Sequence, residues 1–142
     1  MFSDLTSHAI IAGYGLAGRE ARTALAKIGI ASLVIESNPD TVNRCASLAL
    51  RMLCGSATEV QTLQQAGILR ARMLIITIPD DAAVLESVRQ ALSLNPSLWI
   101  AARCSYTSTG MEVTRLGAHA VVDEQVVAKE LSRLIAGMDK TV

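Results

Sequence analysis

A chain of 142 residues, 51% hydrophobic and only 3% aromatic, suits one domain whose core is built from aliphatic side chains. Its 13 basic residues balance 13 acidic ones and form no basic run, which excludes an electrostatic footprint for nucleic acid. No apolar stretch reaches the roughly 18 to 20 residues that span a bilayer, and the short polar N-terminus lacks a signal sequence, so we expect a cytoplasmic protein.

Apolar runs of strand length alternate with helical patterns along the whole chain. In chain order, the predicted elements are strand 8–14, helix 17–28, strand 33–36, helix 38–48, strand 51–54, helix 58–67, strand 73–78, helix 79–95, strand 98–103, helix 109–117, strand 120–122 and helix 125–136. Pairs typical of capping boxes, Thr58 with Gln61 and Thr109 with Glu112, predict the starts of the third and fifth helices. Asn38 predicts the start of the second helix in the same way.

This alternation is typical of a parallel sheet, because parallel strands need a crossover connection that a helix usually supplies. The run 73–78 is the most apolar and is expected at the centre of the sheet, covered on both faces. Right-handed crossovers and two mononucleotide-binding halves give the strand order 3-2-1-4-5-6. We therefore predict an α/β fold, a Rossmann-like doubly wound parallel six-stranded sheet with helices on both faces.

A glycine motif follows the first strand and opens the first helix; its residues are Gly13, Tyr14, Gly15, Leu16, Ala17 and Gly18. Gly13 permits a tight turn, Gly15 leaves room for a phosphate to approach the backbone, and Gly18 lets the helix pack close to the strand. Free backbone N–H groups at the helix N-terminus then face the phosphate, and the helix dipole favours its charge. The motif predicts a nucleotide phosphate site, the alternative being a tight turn alone.

Glu36 ends the second strand, 18 residues after Gly18. A carboxylate there accepts hydrogen bonds from both ribose hydroxyls and repels a 2′-phosphate. Ser37 and the two residues after it supply no arginine to hold such a phosphate. We therefore expect NAD(H) or an adenine mononucleotide as ligand, and not NADP; the alternative is that Glu36 is a solvated strand end.

The segment after the third strand, Gly55, Ser56, Ala57 and Thr58, is expected at the carboxyl edge of the sheet beside the adenine pocket. Ser56 or Thr58 can contact the base there. Alternatively, the Thr58 hydroxyl only caps the third helix, and this is the favoured role.

The sequence lacks what a dehydrogenase adds to a nucleotide-binding unit. Six strand–helix units use up the chain and leave no substrate domain. His8 and His119 are expected at the amino ends of their strands, away from the crevice, and Asp80 and Asp81 are expected to cap a helix. We expect no enzyme and no catalytic residue; the alternatives are a minimal NAD-dependent oxidoreductase and a structural dimerisation module with a non-functional pocket.

Arg103 ends the fifth strand, at the same carboxyl edge. A guanidinium there pairs with a ligand phosphate, a carboxylate or a partner subunit. A surface salt bridge is the alternative. Asp123 and Glu124 follow the sixth strand and are expected to cap the last helix.

The combined motifs resemble the RCK domain, also called TrkA-N or KTN. They are apolar-Gly-Tyr-Gly-x-x-Gly, Val-Ile-Glu, Gly-Ser-Ala-Thr, Gln-Ala-Gly-Ile and Ile-Pro-Asp-Asp. The later segments 100–103, 115–118 and 121–122 are similar to the cytosolic domain of Kef-type potassium/proton antiporters, including the YbaL-like branch. The resemblance covers about residues 8–136. We expect a lead at residues 1–7, the nucleotide-binding domain at 8–137 and a C-terminal tail at 138–142.

This resemblance implies a regulatory domain that binds NAD(H), AMP, ADP or ATP and controls a membrane cation transporter. It implies a homodimer in the cytoplasm, at the inner face of the membrane, with the transporter in the same chain or in a separate subunit. It also implies that Thr77 and Pro79 border the nucleotide crevice. Two positions depart from many relatives: Leu16 replaces an arginine, which disfavours ATP, and Ser56 replaces an aspartate.

Overall fold

The computed structural model describes residues 2–138, in which strands and helices alternate as predicted. The strands are β1 (Ala9–Ala12), β2 (Ser32–Glu36), β3 (Met52–Cys54), β4 (Met73–Ile76), β5 (Trp99–Cys104) and β6 (His119–Val122). The helices are α1 (Leu16–Lys27), α2 (Pro39–Arg44), α3 (Val60–Gln65), α4 (Asp81–Leu94), α5 (Thr107–Arg115) and α6 (Asp123–Met138). Met1 of the predicted lead and residues 139–142 of the predicted tail lie outside the described residues.

The six strands form one parallel sheet in the order β3-β2-β1-β4-β5-β6, which confirms the predicted fold and strand order. β1 and β4 lie at the centre, so the glycine motif after β1 opens at the point where the strand order reverses. In open α/β sheets this switch point, at the carboxyl ends of the strands, is where ligands bind.

The sheet buries two aliphatic clusters of unequal size. The larger cluster lies under α3, α4 and α5 and includes Ile10, Ile76 and Ile100. The smaller cluster lies on the other face, where Leu25 of α1 packs against Ile11 of β1. Within residues 2–138, no helix has the length and apolarity needed to cross a bilayer.

The N-terminus of α5 receives its hydrogen-bond acceptors from two other helices. Asp81 of α4 accepts from the backbone N–H groups of Ser105, at 2.9 Å, and Tyr106, at 3.3 Å. Glu124 of α6 accepts from the backbone N–H of Thr107 at 2.6 Å and also from its hydroxyl. These two carboxylates satisfy the donors that a local cap would otherwise serve.

Both predicted capping boxes are wrong. In α5, the carboxylates of Asp81 and Glu124 take the place of a local cap. Thr109 lies inside α5, and Glu112 pairs with an arginine of the same helix. Glu59 is the N-cap residue of α3, and its side chain makes no capping hydrogen bond. Thr58 lies one residue earlier, and its hydroxyl lies 2.7 Å from the hydroxyl of Ser56. The second helix is also shorter than predicted and ends at Arg44.

We expect Asp81→Asn to lower the free energy of unfolding by about 1 kcal/mol or less at pH 7, because the residue is only partly buried and solvent screens its charge. Partial burial by itself would raise the pKa of Asp81, but hydrogen bonds from Thr109, Ser105 and Tyr106 outweigh burial and lower that pKa below its ordinary 3.8. The folded-state pKa is thus depressed, so the stabilisation is present above the unfolded-state pKa and is lost as pH falls through the folded-state value.

Urea unfolding of the wild type and of Asp81→Asn at pH 7 and at pH 3 measures this difference. Asp40→Asn is the matched control, because Asp40 also lies in the first turn of a helix but that helix is capped by Asn38. A stability difference for Asp81→Asn that stays constant across this pH range would contradict the assigned role.

Candidate functional site

The glycine motif forms a close contact between β1 and the first turn of α1. Gly13 has a φ of +101°, which L side chains rarely adopt, and a Cβ on it would lie 2.7 Å from the hydroxyl oxygen of Thr77. A Cβ on Gly18 would lie only 2.0 Å from the carbonyl oxygen of Gly13. Gly13 and Gly18 are therefore required by the fold itself, as the tight turn and close packing predicted for them demand.

Gly15 differs from its two neighbours in the motif. It is the N-cap residue of α1 and has a φ of −82° and a ψ of −159°, which other residues also adopt. Among residues 2–138, no atom outside its own chain neighbours lies within 4 Å of a Cβ built on it. The fold therefore leaves an open space at the N-terminus of α1, which we call the mouth of α1. Backbone N–H groups face outward there.

Thr77 supports the motif from the neighbouring strand. It follows β4 directly, and its hydroxyl donates to the carbonyl oxygens of Ala12, at 3.0 Å, and Gly13, at 3.2 Å. These bonds fix the turn between β1 and α1. The prediction that Thr77 borders the crevice did not foresee this positioning role.

Glu36 connects the motif to the end of β2. Its Oε1 accepts from the backbone N–H of Tyr14 at 3.1 Å, and its Oε2 accepts from the backbone N–H of Asn38 at 2.9 Å. A carboxylate has about four lone-pair positions, so these two bonds leave acceptor capacity on both oxygens. The side chain is thus held at the carboxyl edge of the sheet and can accept further hydrogen bonds.

A cavity of about 190 Å³ lies between the ends of β1, β2 and β3 and the start of α4. Seven of the predicted site residues line it: Gly13, Glu36, Ser37, Gly55, Ser56, Ala57 and Pro79. Ile35 and Ile78 give it apolar walls that sequence reasoning missed, although both directly precede predicted residues. Its charged lining residues are the carboxylates of Glu36 and Asp80, and no lysine or arginine lines it.

A second cavity, of about 570 Å³, opens on the other side of the motif. It is lined by Leu16, Ala17, Thr77 and Arg103 from the predicted set. Its remaining lining residues are mostly aliphatic and come from β4, β5, β6 and α6. The structure therefore divides the predicted residues between two cavities, and Tyr14, Gly15, Gly18 and Thr58 are lining residues of neither.

Arg103 forms the salt bridge that was the alternative to a ligand contact. Its Nε lies 3.0 Å from Oδ1 of Asp123, and its Nη2 lies 3.0 Å from Oδ2. Both residues line the larger cavity. Their bidentate salt bridge therefore links the end of β5 to the start of α6 beside this cavity. Asp123 therefore pairs with a neighbouring strand, where sequence reasoning had expected a helix cap.

The remaining candidate acids and bases lie where they were expected, with one exception. His8 is buried at the amino end of the sheet, and its Nε2 lies 2.8 Å from the carbonyl oxygen of Ala66. His119 begins β6, and its ring centroid lies 4.9 Å from that of Trp99 with the two rings tilted by 33°. Asp80 caps α4 by accepting from the N–H of Ala82 at 2.9 Å. The exception is Asp81, which bonds to the start of α5 as described above.

The chain is similar to domains of larger transport proteins. It is 31% identical over 133 residues to YbaL of Escherichia coli (strain K12), whose name describes a cation/proton antiporter, and covers 24% of that protein. It is 28% identical over 138 residues to potassium channel protein 1 of Methanocaldococcus jannaschii, and covers 41% of it. The matches include 93% and 95% of this chain, and the chain spans less than half the length of either relative.

The chain is also similar to solved structures of such domains. The TrkA-N domain of YbaL from Escherichia coli superposes with a TM-score of 0.86 at 30% identity, over 92% of this chain and 98% of that one. GsuK bound to ADP gives a TM-score of 0.78 at 28% identity, over 90% of this chain and 33% of that one. The Kef C-terminal domain of Shewanella denitrificans in its AMP-bound form gives 0.73 at 25%, over 91% and 80%.

Residues 9–124 match the family described as the TrkA-N domain. This range contains the glycine motif, Glu36, the 55–58 segment and all six strands. The match confirms the resemblance to RCK and Kef-type domains. The chain therefore belongs to the TrkA-N domain family.

Proposed function

We propose that this domain binds an adenine nucleotide, NAD(H) or AMP, at the carboxyl edge of the sheet. The adenosine part would occupy the smaller cavity, with the ribose hydroxyls on Glu36 and the base between Ile35, Ala57 and Ile78. The phosphate would lie at the mouth of α1. The single observation that carries the proposal is the open space at Gly15, because the fold itself gives no reason for a glycine there.

Two related structures support this ligand class. The names of two related structures, at 28% and 25% identity, describe ADP bound to GsuK and AMP bound to a Kef domain. The residues available here narrow the choice. Leu16 follows Gly15 and is 72% exposed, and the charged groups of the smaller cavity are carboxylates. A ligand with one phosphate, or with the diphosphate of NAD(H), therefore fits better than ATP.

The proposed role of binding is regulatory. Relatives of this chain carry the names of an antiporter and a potassium channel, so we propose that the domain controls potassium or cation/proton transport. It would act as a homodimer at the cytoplasmic face of the membrane, joined to the transporter in one chain or as a separate subunit. A nucleotide can shift such a transporter only through different affinities for its two states. We propose no catalytic role.

Replacing Glu36 with glutamine is expected to weaken NAD(H) or AMP binding about tenfold or more. A hydrogen bond to a charged acceptor contributes about 1.5–3 kcal/mol, and 1.4 kcal/mol is a factor of ten. The same change should narrow the preference for NAD⁺ over NADP⁺, because the charge that repels a 2′-phosphate is removed. Isothermal titration calorimetry with both dinucleotides and AMP measures the two effects.

Glu59→Gln is the matched control for this variant, because Glu59 is exposed and lines neither cavity. It should bind all ligands as the wild type does. If Glu36→Gln binds NAD⁺, NADP⁺ and AMP with unchanged affinities, the ribose is not held by this carboxylate.

The proposed function as a whole is tested by titrating the full chain with NAD⁺, NADH, AMP, ADP, ATP and NADP⁺. We expect NADH, NAD⁺ or AMP to bind most tightly and to raise the thermal midpoint of unfolding, because a ligand that binds only the native state stabilises it. ATP and NADP⁺ should bind at least tenfold more weakly. No binding by any of these nucleotides at millimolar concentration would refute the proposal.

A further inference from the structure

A third cavity, of about 410 Å³, lies at the amino edge of the sheet, at the opposite end of the strands from the candidate nucleotide site. It is bounded by α1, by the start of β2 and by the loop that enters β3, and its lining includes Arg22, Ala26, Ser32, Ala49 and Arg51. None of its lining residues, which all fall within 2–138, is an aspartate or a glutamate. We call it the arginine cavity.

The fold brings the polar lining residues of this cavity together from three elements. Arg22 and Ala26 lie four residues apart on α1 and therefore share one face of that helix. Ser32 begins β2, and its side chain points to the same side of the sheet as that of Val34, which belongs to the cluster under α1. Arg51 directly precedes β3, and its carbonyl oxygen accepts from the N–H of Val34 at 2.9 Å. The two arginines therefore reach the cavity from different elements, α1 and the loop before β3.

Arg22 has hydrogen-bond donors that lack acceptors in the fold. It is partly buried, yet among residues 2–138 its guanidinium has no hydrogen-bond or ion-pair partner. Within the same range the hydroxyl of Ser32, which is also partly buried, has none either. A guanidinium carries five N–H donors, and arginines that are withdrawn from water are usually paired. The cavity thus contains a positive charge and donors that the fold leaves to solvent or to a ligand.

The ion pair of Arg51 is weak enough to be replaced. Its Nη2 lies 3.3 Å from Oδ2 of Asp4, in the segment before β1, and the two side chains are 46% and 66% exposed. This single contact uses one of the five donors of Arg51. Exposed ion pairs of this kind contribute little to stability. A ligand with more negative charge can therefore displace Asp4 from Arg51.

The surroundings of the cavity are also basic. The five loops that enter strands β2 to β6 contain three arginines, Arg51, Arg70 and Arg72, and no aspartate or glutamate. Asp4 is the one acidic residue in the segment before β1. A surface region with charges of one sign raises the local concentration of ions of the opposite sign. The amino edge of the sheet therefore favours an anionic ligand.

We propose that the arginine cavity binds a phosphate monoester group, at a second ligand site separate from the nucleotide site. Such a group carries a charge of about −1.5 to −2 at pH 7, which matches two guanidinium groups, whereas one carboxylate matches only one. Its oxygens can accept from Arg22, Arg51 and the hydroxyl of Ser32 at the same time. The phosphate belongs either to a free phosphorylated molecule or to a lipid headgroup. In both cases it would replace Asp4 at Arg51 and so release the segment before β1 at that point.

Titration of the ¹⁵N-labelled full chain with inorganic phosphate locates the site. We expect saturable shifts of the Nε–H signals of Arg22 and Arg51 and of the backbone N–H of Ser32. The mouth of α1 also attracts phosphate, so its N–H signals are followed in the same spectra. Shifts confined to the mouth of α1, or no saturable shift at high millimolar phosphate, would overturn the proposal.

Variants of the charged residues test the same site by affinity. Arg22→Gln and Arg51→Gln should each weaken phosphate binding about tenfold or more, because each removes charge-assisted hydrogen bonds. Arg44→Gln is the matched control: Arg44 is exposed, does not line the cavity and should leave the affinity unchanged. Asp4→Asn should instead tighten binding about two- to fivefold, since it removes the competing carboxylate from Arg51.

Circular dichroism checks that each of these variants is folded. Affinities of Arg22→Gln and Arg51→Gln within twofold of the wild type would overturn the proposal. An Asp4→Asn variant that binds phosphate no more tightly than the wild type would contradict the place of the phosphate against Arg51.

Co-sedimentation with lipid vesicles distinguishes the two sources of the phosphate. Vesicles of phosphatidylcholine and phosphatidic acid in equal parts present a phosphate monoester as a headgroup, and vesicles of phosphatidylcholine alone are the control. Binding to the mixed vesicles that is lost in Arg22→Gln assigns a lipid headgroup. Binding of inorganic phosphate and glycerol 3-phosphate without vesicle binding assigns a free phosphorylated molecule. If neither free phosphate nor the mixed vesicles bind in a way that depends on Arg22, the proposal is refuted.

Discussion

Gly15→Asp is expected to bind NAD(H) and AMP at least 100-fold more weakly than the wild type, without loss of stability. The open space at the mouth of α1 would be filled by a carboxylate, which repels the phosphate at short range. The backbone at Gly15 is extended with a negative φ, and aspartate is a preferred residue at a helix start, so the fold should tolerate the change. Calorimetry and urea unfolding measure the two quantities.

Gly15→Asn separates charge from volume in this experiment. Asparagine has nearly the same shape and is an equally good helix cap, but it carries no charge. Its affinity should lie between those of the wild type and Gly15→Asp. If both variants keep affinities within threefold of the wild type, the phosphate does not lie at this helix mouth.

Gly18→Ala is expected to lower the free energy of unfolding by about 3 kcal/mol or more. The new Cβ would lie 2.0 Å from the carbonyl oxygen of Gly13, and no side-chain rotation can relieve a contact with backbone. Helix α1 would have to move away from β1, so nucleotide binding should be lost as well.

Gly15→Ala is the control for Gly18→Ala, because it makes the same chemical change three residues earlier in open space. It should cost no more than about 1 kcal/mol of stability, the scale of a helix-start effect. Urea unfolding of both variants gives the comparison. Equal stabilities would mean that the close contact between Gly13 and Gly18 does not hold α1 against the sheet.

The sequence alone was sufficient to predict the sheet order, because alternating strand and helix patterns leave few topologies once crossovers are right-handed. Prediction from the sequence was wrong where a helix cap comes from a residue distant in the chain and not from a local one. Thr109 matched a helix-start pattern, yet Asp81 and Glu124 supply the acceptors for α5 from distant parts of the chain. Local patterns contain no information about which carboxylate a fold brings to a given helix end.

In the candidate site, too, some features were predictable from the sequence and others were not. Glu36 and Ser56 were predicted from their positions at strand ends, and Pro79 was implied by the family resemblance. The three residues line one cavity because parallel strands end at a common edge. The hydrogen bonds of Thr77 to the glycine turn were not predictable, because they depend on side-chain geometry. The last helix was predicted from its apolar spacing, but the finding that none of the residues 123–138 is buried comes only from the structure.

Amide chemical-shift mapping of the ¹⁵N-labelled chain during titration with AMP, and then with NAD⁺, tests the central claim most directly. The account predicts that the largest shifts occur at the backbone N–H groups of Gly15, Leu16 and Ala17, with a second group at Tyr14 and Asn38, whose N–H groups bond to Glu36. Saturable shifts confined to another part of the fold, or none at millimolar ligand, would contradict it.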